Sequence, residues 1–127
     1  MGNLTANFSR NEFKCKGLNC CGGSDPINIE LVRSLQNLRD MVGKALIVTS
    51  GFRCRKHNTE IGGAHNSQHI YADAADVKVP NGMTPDQLKE FAEKIPAFKL
   101  GGIGLYSTWI HLDVRKNGPA RWDMRKN

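Results

Sequence analysis

The chain has 127 residues, 39% of them hydrophobic and 24% charged, and carries a formal net charge of +6. That length suits one domain able to bury roughly two-thirds of its unfolded surface, and the composition is neither that of a disordered chain nor that of a membrane protein. No stretch approaches the ~18 apolar residues that a spanning helix needs, so membrane insertion is not expected. The segment Met1 to Arg10 has no apolar signal core, which makes a cytoplasmic product without a signal peptide the expectation. Gly2 lacks the Ser or Thr at position 6 that a myristoylation site requires, because Ala6 stands there. The positive charge favours polyanions. With no run of five Lys or Arg and no aromatic-basic ladder, nucleic acid is not the expected partner, whereas an anionic bacterial wall is compatible.

Residues 1–24 form a polar lead that contains cysteines. After Asp25-Pro26, Leu31, Val32, Leu35, Leu38 and Val42 recur at three- and four-residue spacing and Gly43 follows, which predicts a packed amphipathic helix. Lys44 to Ser50, with Leu46, Ile47 and Val48 in one apolar run, predicts a strand ended by Ser50-Gly51. Residues 51–68 are expected as loop, with one short helix near His57 to Ile61. Asp76-Val77-Lys78-Val79 alternates with period two, placing Val77 and Val79 on the core face and Asp76 and Lys78 on the other. Thr84-Pro85-Asp86-Gln87 has the form of a capping box with Pro at N1, and the helix it starts is expected to run to about Ile95, where Pro96 closes it. Gly101 to Tyr106 and Trp109 to Val114 predict two strands joined at Ser107-Thr108. In the second, Ile110, Leu112 and Val114 share one face, and Trp109, His111 and Asp113 the other. Residues 115–127 are basic and mostly polar apart from Trp122, and an edge segment or loose tail is expected. The order implies α+β: a small antiparallel sheet with helices packed on one face and a functional site on the open face, in a single domain spanning 1–127.

The chemistry centres on His69, Asp76 and His111. Two imidazoles and a carboxylate around a divalent ion leave a fourth position for water, as in catalytic rather than closed structural zinc sites. The spacing of His69 and Asp76 excludes the i,i+4 pair of a helical His-Glu-x-x-His site, so His69 is expected in a loop and Asp76 at a strand start, with His111 brought alongside by sheet pairing. Two His and one carboxylate also describe the facial triad of iron oxygenases, but their usual jelly roll needs more strands than this chain offers.

Ser50-Gly51-Phe52-Arg53, His57-Asn58, Gly62-Gly63, Asn66-Ser67-Gln68-His69, Ala74-Ala75-Asp76 and His111-Leu112-Asp113 together resemble the zinc D-Ala-D-Ala carboxypeptidase family, peptidase family M15 in its A-type branch, whose fold is shared with the signalling domain of Hedgehog proteins. The resemblance runs from about Phe8 to Arg115. It implies Zn2+ held by His69, Asp76 and His111, Arg53 contacting substrate or transition state, and Ser67 touching substrate or steadying the loop, a part Gln68 could share. It also implies a peptidoglycan peptide as substrate. The wider family places Glu, Asp or His two or three residues before the last metal histidine, where this chain has Trp109 and Thr108. Neither titrates usefully, and Asp113, on the His111 face, is left to orient that imidazole or to manage protons. His57 and His65 are expected to be exposed or to cap loops, with His65 the better proton donor, and Asp73 to face solvent.

Cys15, Cys20, Cys21 and Cys54 form no paired Cys-x2-Cys signature, and thiols, a disulfide or a four-thiolate zinc remain open; the last requires Cys54 to fold back on the N-terminal cluster. A thiol protease built on Cys54 has no His-Asn arrangement to support it. The expectation is a monomeric zinc peptidase cutting a D-amino-acid bond of peptidoglycan, as a carboxypeptidase or cross-link endopeptidase. A phage-type lysin that reaches the wall after release fits this expectation. The alternative from another class is a wall-binding module that keeps the metal without catalysis.

Overall fold

The computed structural model describes residues 4–17, 27–63 and 67–125. Helix α1 spans Ile29–Val42; Asn28 caps it by accepting from the Glu30 amide, and Gly43 ends it in the left-handed region at φ 73°. The expected stripe is its buried face, with Leu31, Val32, Leu35 and Leu38 in the core. Strand β1 is shorter than the sequence suggests, Ile47–Ser50. It lies at a sheet edge, and by the alternation of strand side chains Leu46 and Val48 are buried on the helix-covered face while Ile47 faces out. One-turn helix α2 covers Arg55–Glu60, and β2 covers Ala74–Lys78.

Thr84 and Gln87 form the expected reciprocal capping box at the start of α3, Pro85–Ala92, a device worth ~1 kcal/mol. Pro96 does not end this helix. The helix stops at Ala92, and Pro96 instead opens a further turn, α4, Pro96–Lys99, where a missing amide costs nothing at N1. Strands β3, Gly102–Leu105, and β4, Trp109–Asp113, follow. At their Ser107-Thr108 connection the Tyr106 amide donates to the Trp109 carbonyl, and the two rings stack 4.6 Å apart.

The five-stranded sheet has the order β1-β2-β4-β3-β5. The basic segment after Arg115 is indeed an edge segment: β5, Ala120–Asp123, pairs with β3. That pairing is parallel, so the sheet is mostly rather than wholly antiparallel. Helices α1, α3 and α4 cover one face around Leu35, Leu38, Leu88, Phe98, Ile110 and Leu112, all fully buried. Asp73, expected in solvent, is instead half-buried and accepts from the Asn28 side chain at 2.9 Å, tying β2 to the start of α1. Among the described residues no helix is long and apolar enough to cross a membrane.

Candidate metal centre and its cleft

Sheet register decides which side chains meet on the uncovered face. Ser50 pairs with Asp76, Asp76 with His111, His111 with Gly104, and Gly104 with Trp122, so one row crosses all five strands. Residues opposite one another in a sheet point to the same face, which sets Asp76 beside His111. His69 arrives from a 3-10 turn, Gln68–Tyr71, that Ser67 caps by accepting from the His69 amide at 3.2 Å. Its rim is fixed from the other side, where the Arg53 amide donates to the His69 carbonyl at 3.0 Å.

His69 Nε2 stands 3.2 Å and His111 Nδ1 3.5 Å from Asp76 Oδ1. One donor atom from each of the three residues falls within 4.8 Å of the others. The remaining nitrogens decide the chemistry. His69 Nδ1 lies 2.7 Å from the Gly51 carbonyl, and His111 Nε2 lies 2.7 Å from Asp113 Oδ2. A carbonyl and an ionised carboxylate only accept, which assigns the hydrogen to His69 Nδ1 and to His111 Nε2. In its neutral form each ring then has its lone pair on the atom that faces Asp76 Oδ1, His69 Nε2 and His111 Nδ1, whereas a proton on either atom donates to that carboxylate oxygen. Outer partners of this kind orient metal-binding imidazoles, so the residues present fit a divalent ion such as zinc.

Arg53 donates to Asp76 Oδ2 at 3.2 Å, to Ser50 Oγ at 3.1 Å and to Asn58 Oδ1 at 3.2 Å. The guanidinium thus holds the outer oxygen of the carboxylate and leaves Oδ1 toward the imidazoles. Asp113 is fully buried. Beyond His111 it accepts from the Gly102 amide and from the Arg115 amide, Nε and Nη2, so both oxygens are engaged.

Burial alone would raise the Asp76 and Asp113 pKa values, but hydrogen bonds from His111 to both, with His69 on Asp76 and Arg115 on Asp113, outweigh it and hold both far below the usual carboxylate range. For His111, burial opposes the charged form, yet Asp113 and Asp76 raise its pKa above 6.5. In metal-free protein the added proton occupies Nδ1, where the ion would sit. The raised pKa contributes stability that is complete below about pH 6.5 and lost as pH rises through the folded value. The lowered carboxylates contribute above about pH 3.8 and lose that contribution in acid. A proton on His111 Nδ1 would compete with a metal ion for the same lone pair, so the rise in Tm on adding zinc is expected to be larger above the raised folded-state pKa of His111 than below it; thermal melts with zinc and with chelator check this.

A cleft of about 590 Å³ opens over the cluster, lined by Arg53, Gly62-Gly63, Ser67, Gln68, His69, Asp76, Tyr106, His111, Arg115, Trp122 and Met124. Cys54 is not among its lining residues; it is the N-cap of α2, its sulfur accepting from the His57 amide. His57 is half-buried in α2, and His65 lies outside the described residues. A five-stranded sheet covered on one face is also not the jelly roll usual for iron oxygenases, as the strand count led one to expect.

The Peptidase M15 family model matches residues 6–113, well over half of the chain and all three potential ligands. The chain belongs to the peptidase M15 family. M15 peptidases are zinc-dependent metallopeptidases, and in this M15 chain the His69, Asp76 and His111 cluster has the donors to hold such an ion. No curated protein matches the chain.

Sequence reasoning missed Arg115, Tyr106 and Trp122 as parts of this M15 cleft. Arg115 continues the parity of Trp109, His111 and Asp113, the signal that could have found it. Trp122 packs on His111 with ring centroids 4.8 Å apart, and its indole N–H donates to the Tyr106 hydroxyl at 3.0 Å. Two glycines of β3 make room: a Cβ at Gly104 would enter the Trp122 ring, and one at Gly102 would enter the Asp113 carboxylate. Gly104→Ala is expected to destabilise by about 1–3 kcal/mol, as overpacking does, and to shift tryptophan emission as Trp122 leaves His111. Chemical denaturation followed by fluorescence measures both.

Proposed function

We propose that the protein hydrolyses a peptide bond involving a D-amino acid in bacterial peptidoglycan, as a D-alanyl-D-alanine carboxypeptidase or a cross-link endopeptidase. The observation that carries this proposal is the pair of imidazole lone pairs, each fixed by an acceptor on its far nitrogen, converging with Asp76 Oδ1 beneath an open cleft. A bound zinc supplies a Lewis acid that polarises a carbonyl and acidifies water. His69, Asp76 and His111 hold it, and Asp113 acts through His111 as a positioning residue. Arg53 lines the cleft beside Asp76, where its guanidinium is placed to stabilise the oxyanion developing on the substrate carbonyl. Ser67 steadies the loop that presents His69, and Gln68 faces the substrate from the same turn. Arg53 and Arg115 give the cleft two guanidinium groups, which suits a peptide carrying a carboxylate.

Arg53→Ala is expected to lower kcat about 100- to 1,000-fold while zinc content stays at the wild-type level, because Asp76 keeps both imidazoles. Metal analysis beside steady-state kinetics tests it.

A second reading has one observation in its favour. Thr108 and Trp109 precede His111, and among the described residues Asp76 is the only carboxylate lining the cleft. A wall-binding module of the same fold would need no general base. Digesting purified muropeptides with wild type and with His69→Ala, each with and without chelator, separates the two by mass spectrometry. Released D-alanine identifies a carboxypeptidase and resolved dimers an endopeptidase. Retention on the wall with no new product sinks the hydrolase proposal. The +6 charge supports attraction to an anionic wall, and a monomeric phage-type lysin acting after release from the cytoplasm is the setting we propose.

A further inference from the structure

We propose that Tyr106 is a substrate-binding residue whose hydroxyl donates a hydrogen bond to a backbone carbonyl of the bound peptide, and that Trp122 is the positioning residue that aims it. The inference rests on the peptidase reading of the cleft and adds to it the recognition of the residue beside the scissile bond. Both side chains line the cleft over the metal-ligand cluster.

The direction of the hydroxyl follows from its partner. The Trp122 indole nitrogen stands 3.0 Å from the Tyr106 oxygen, and an indole N–H only donates, so the tyrosine oxygen is the acceptor in that bond. Its own hydrogen leaves on another side, and among the described residues no protein group accepts it. A hydroxyl held in this way inside a cleft is a donor open to a ligand oxygen. Both ends of the side chain are fixed as well: the ring stacks on Trp109 at 4.6 Å with 6° between the planes, and the hydroxyl is tied to Trp122. Little rotational freedom remains to be lost when a ligand binds.

Sheet order decides which part of a peptide reaches this donor. Arg53 bonds to Ser50 and Asp76, on the β1 and β2 side of the cluster. Tyr106 follows β3, and Trp122, on β5, packs against His111 with ring centroids 4.8 Å apart. The hydroxyl thus stands across the cluster from the Arg53 guanidinium, and a peptide lying over the metal ligands meets one on each flank. A neutral hydroxyl with a single hydrogen suits a neutral oxygen, whereas a carboxylate is better met by a guanidinium. The neutral oxygen that a carboxypeptidase substrate and a cross-link have in common is the backbone carbonyl one residue before the scissile one, and that is the acceptor for Tyr106.

Calorimetric titration of zinc-loaded protein tests this without hydrolysis. The first probe is an N-acylated tripeptide ending in D-Ala-D-Ala, with its scissile amide replaced by an uncleavable phosphinate. The second is the same molecule with the preceding carbonyl reduced to a methylene. Tyr106→Phe, which keeps the ring stack, is expected to bind the first probe about 3- to 10-fold more weakly than wild type does. It should bind the second as well as wild type does, with zinc content unchanged. In a Trp122→Phe background the loss caused by Tyr106→Phe is expected to shrink, because the hydroxyl is then no longer aimed. An undiminished loss there would overturn the positioning role of Trp122. Equal affinity of wild type and Tyr106→Phe for the first probe, or the same loss with both probes, would overturn the inference and leave the peptidase reading in place. Wild type that takes up neither probe would overturn that reading and this inference with it.

Discussion

Asp76→Ala is expected to empty the His69 and His111 site of zinc and to lower muropeptide hydrolysis at least about a thousandfold, since the Lewis-acid contribution is worth several kcal/mol. Asp76 supplies the oxygen on which both imidazoles converge, 3.2 Å from His69 and 3.5 Å from His111. Its removal leaves two neutral nitrogens without their anionic partner. The fold should survive, because Asp76 lies at the open face and Arg53 keeps Ser50 and Asn58 as acceptors. Circular dichroism, zinc analysis and product release measured on one preparation check all three parts. Near-normal hydrolysis by this variant would remove the ion from the chemistry altogether.

The second large effect lies one layer further from the substrate. Asp113 has no exposed surface and joins His111 to Arg115 and to the Gly102 amide. Asp113→Asn keeps the shape but loses the charge that holds the hydrogen on His111 Nε2, and zinc affinity is expected to fall about 10- to 100-fold. Asp113→Ala additionally strands Arg115 beside a cavity, at a cost of about 3–5 kcal/mol. The pair of variants separates the two roles. Competition with a chelator reads the affinity, and denaturant titration reads the stability. An Asp113→Asn protein with unchanged zinc affinity would show that the carboxylate is structural only.

The potential ligands were legible because their parity was. Period-two alternation put Asp76 and His111 on the solvent side of their strands, and the capping box at Thr84 and the stripe from Leu31 to Leu38 fixed which face the helices cover. Sheet pairing was expected to bring His111 alongside, but which strands pair is not written in the alternation; the pairing of β2 with β4 sets residue 76 opposite residue 111. The parts that escaped depend on contacts distant in sequence. Nothing local marks Gly102 and Gly104 as clearance for Asp113 and Trp122, or the segment after Arg115 as a parallel edge strand, since parallel pairing is decided by a neighbour rather than by a turn. Pro96 misled for a related reason: proline stops one helix and starts another equally well, and only the preceding chain direction chooses. Asp73 reads as a surface carboxylate until Asn28, 45 residues away, is seen to donate to it.

Diffraction from zinc-soaked crystals, recorded across the zinc absorption edge, tests the central claim most directly. An anomalous peak about 2.0–2.2 Å from His69 Nε2, Asp76 Oδ1 and His111 Nδ1, with a fourth position open to the cleft, is the predicted result. Zinc absent from that point, or closed off there by a fourth protein ligand, would contradict it.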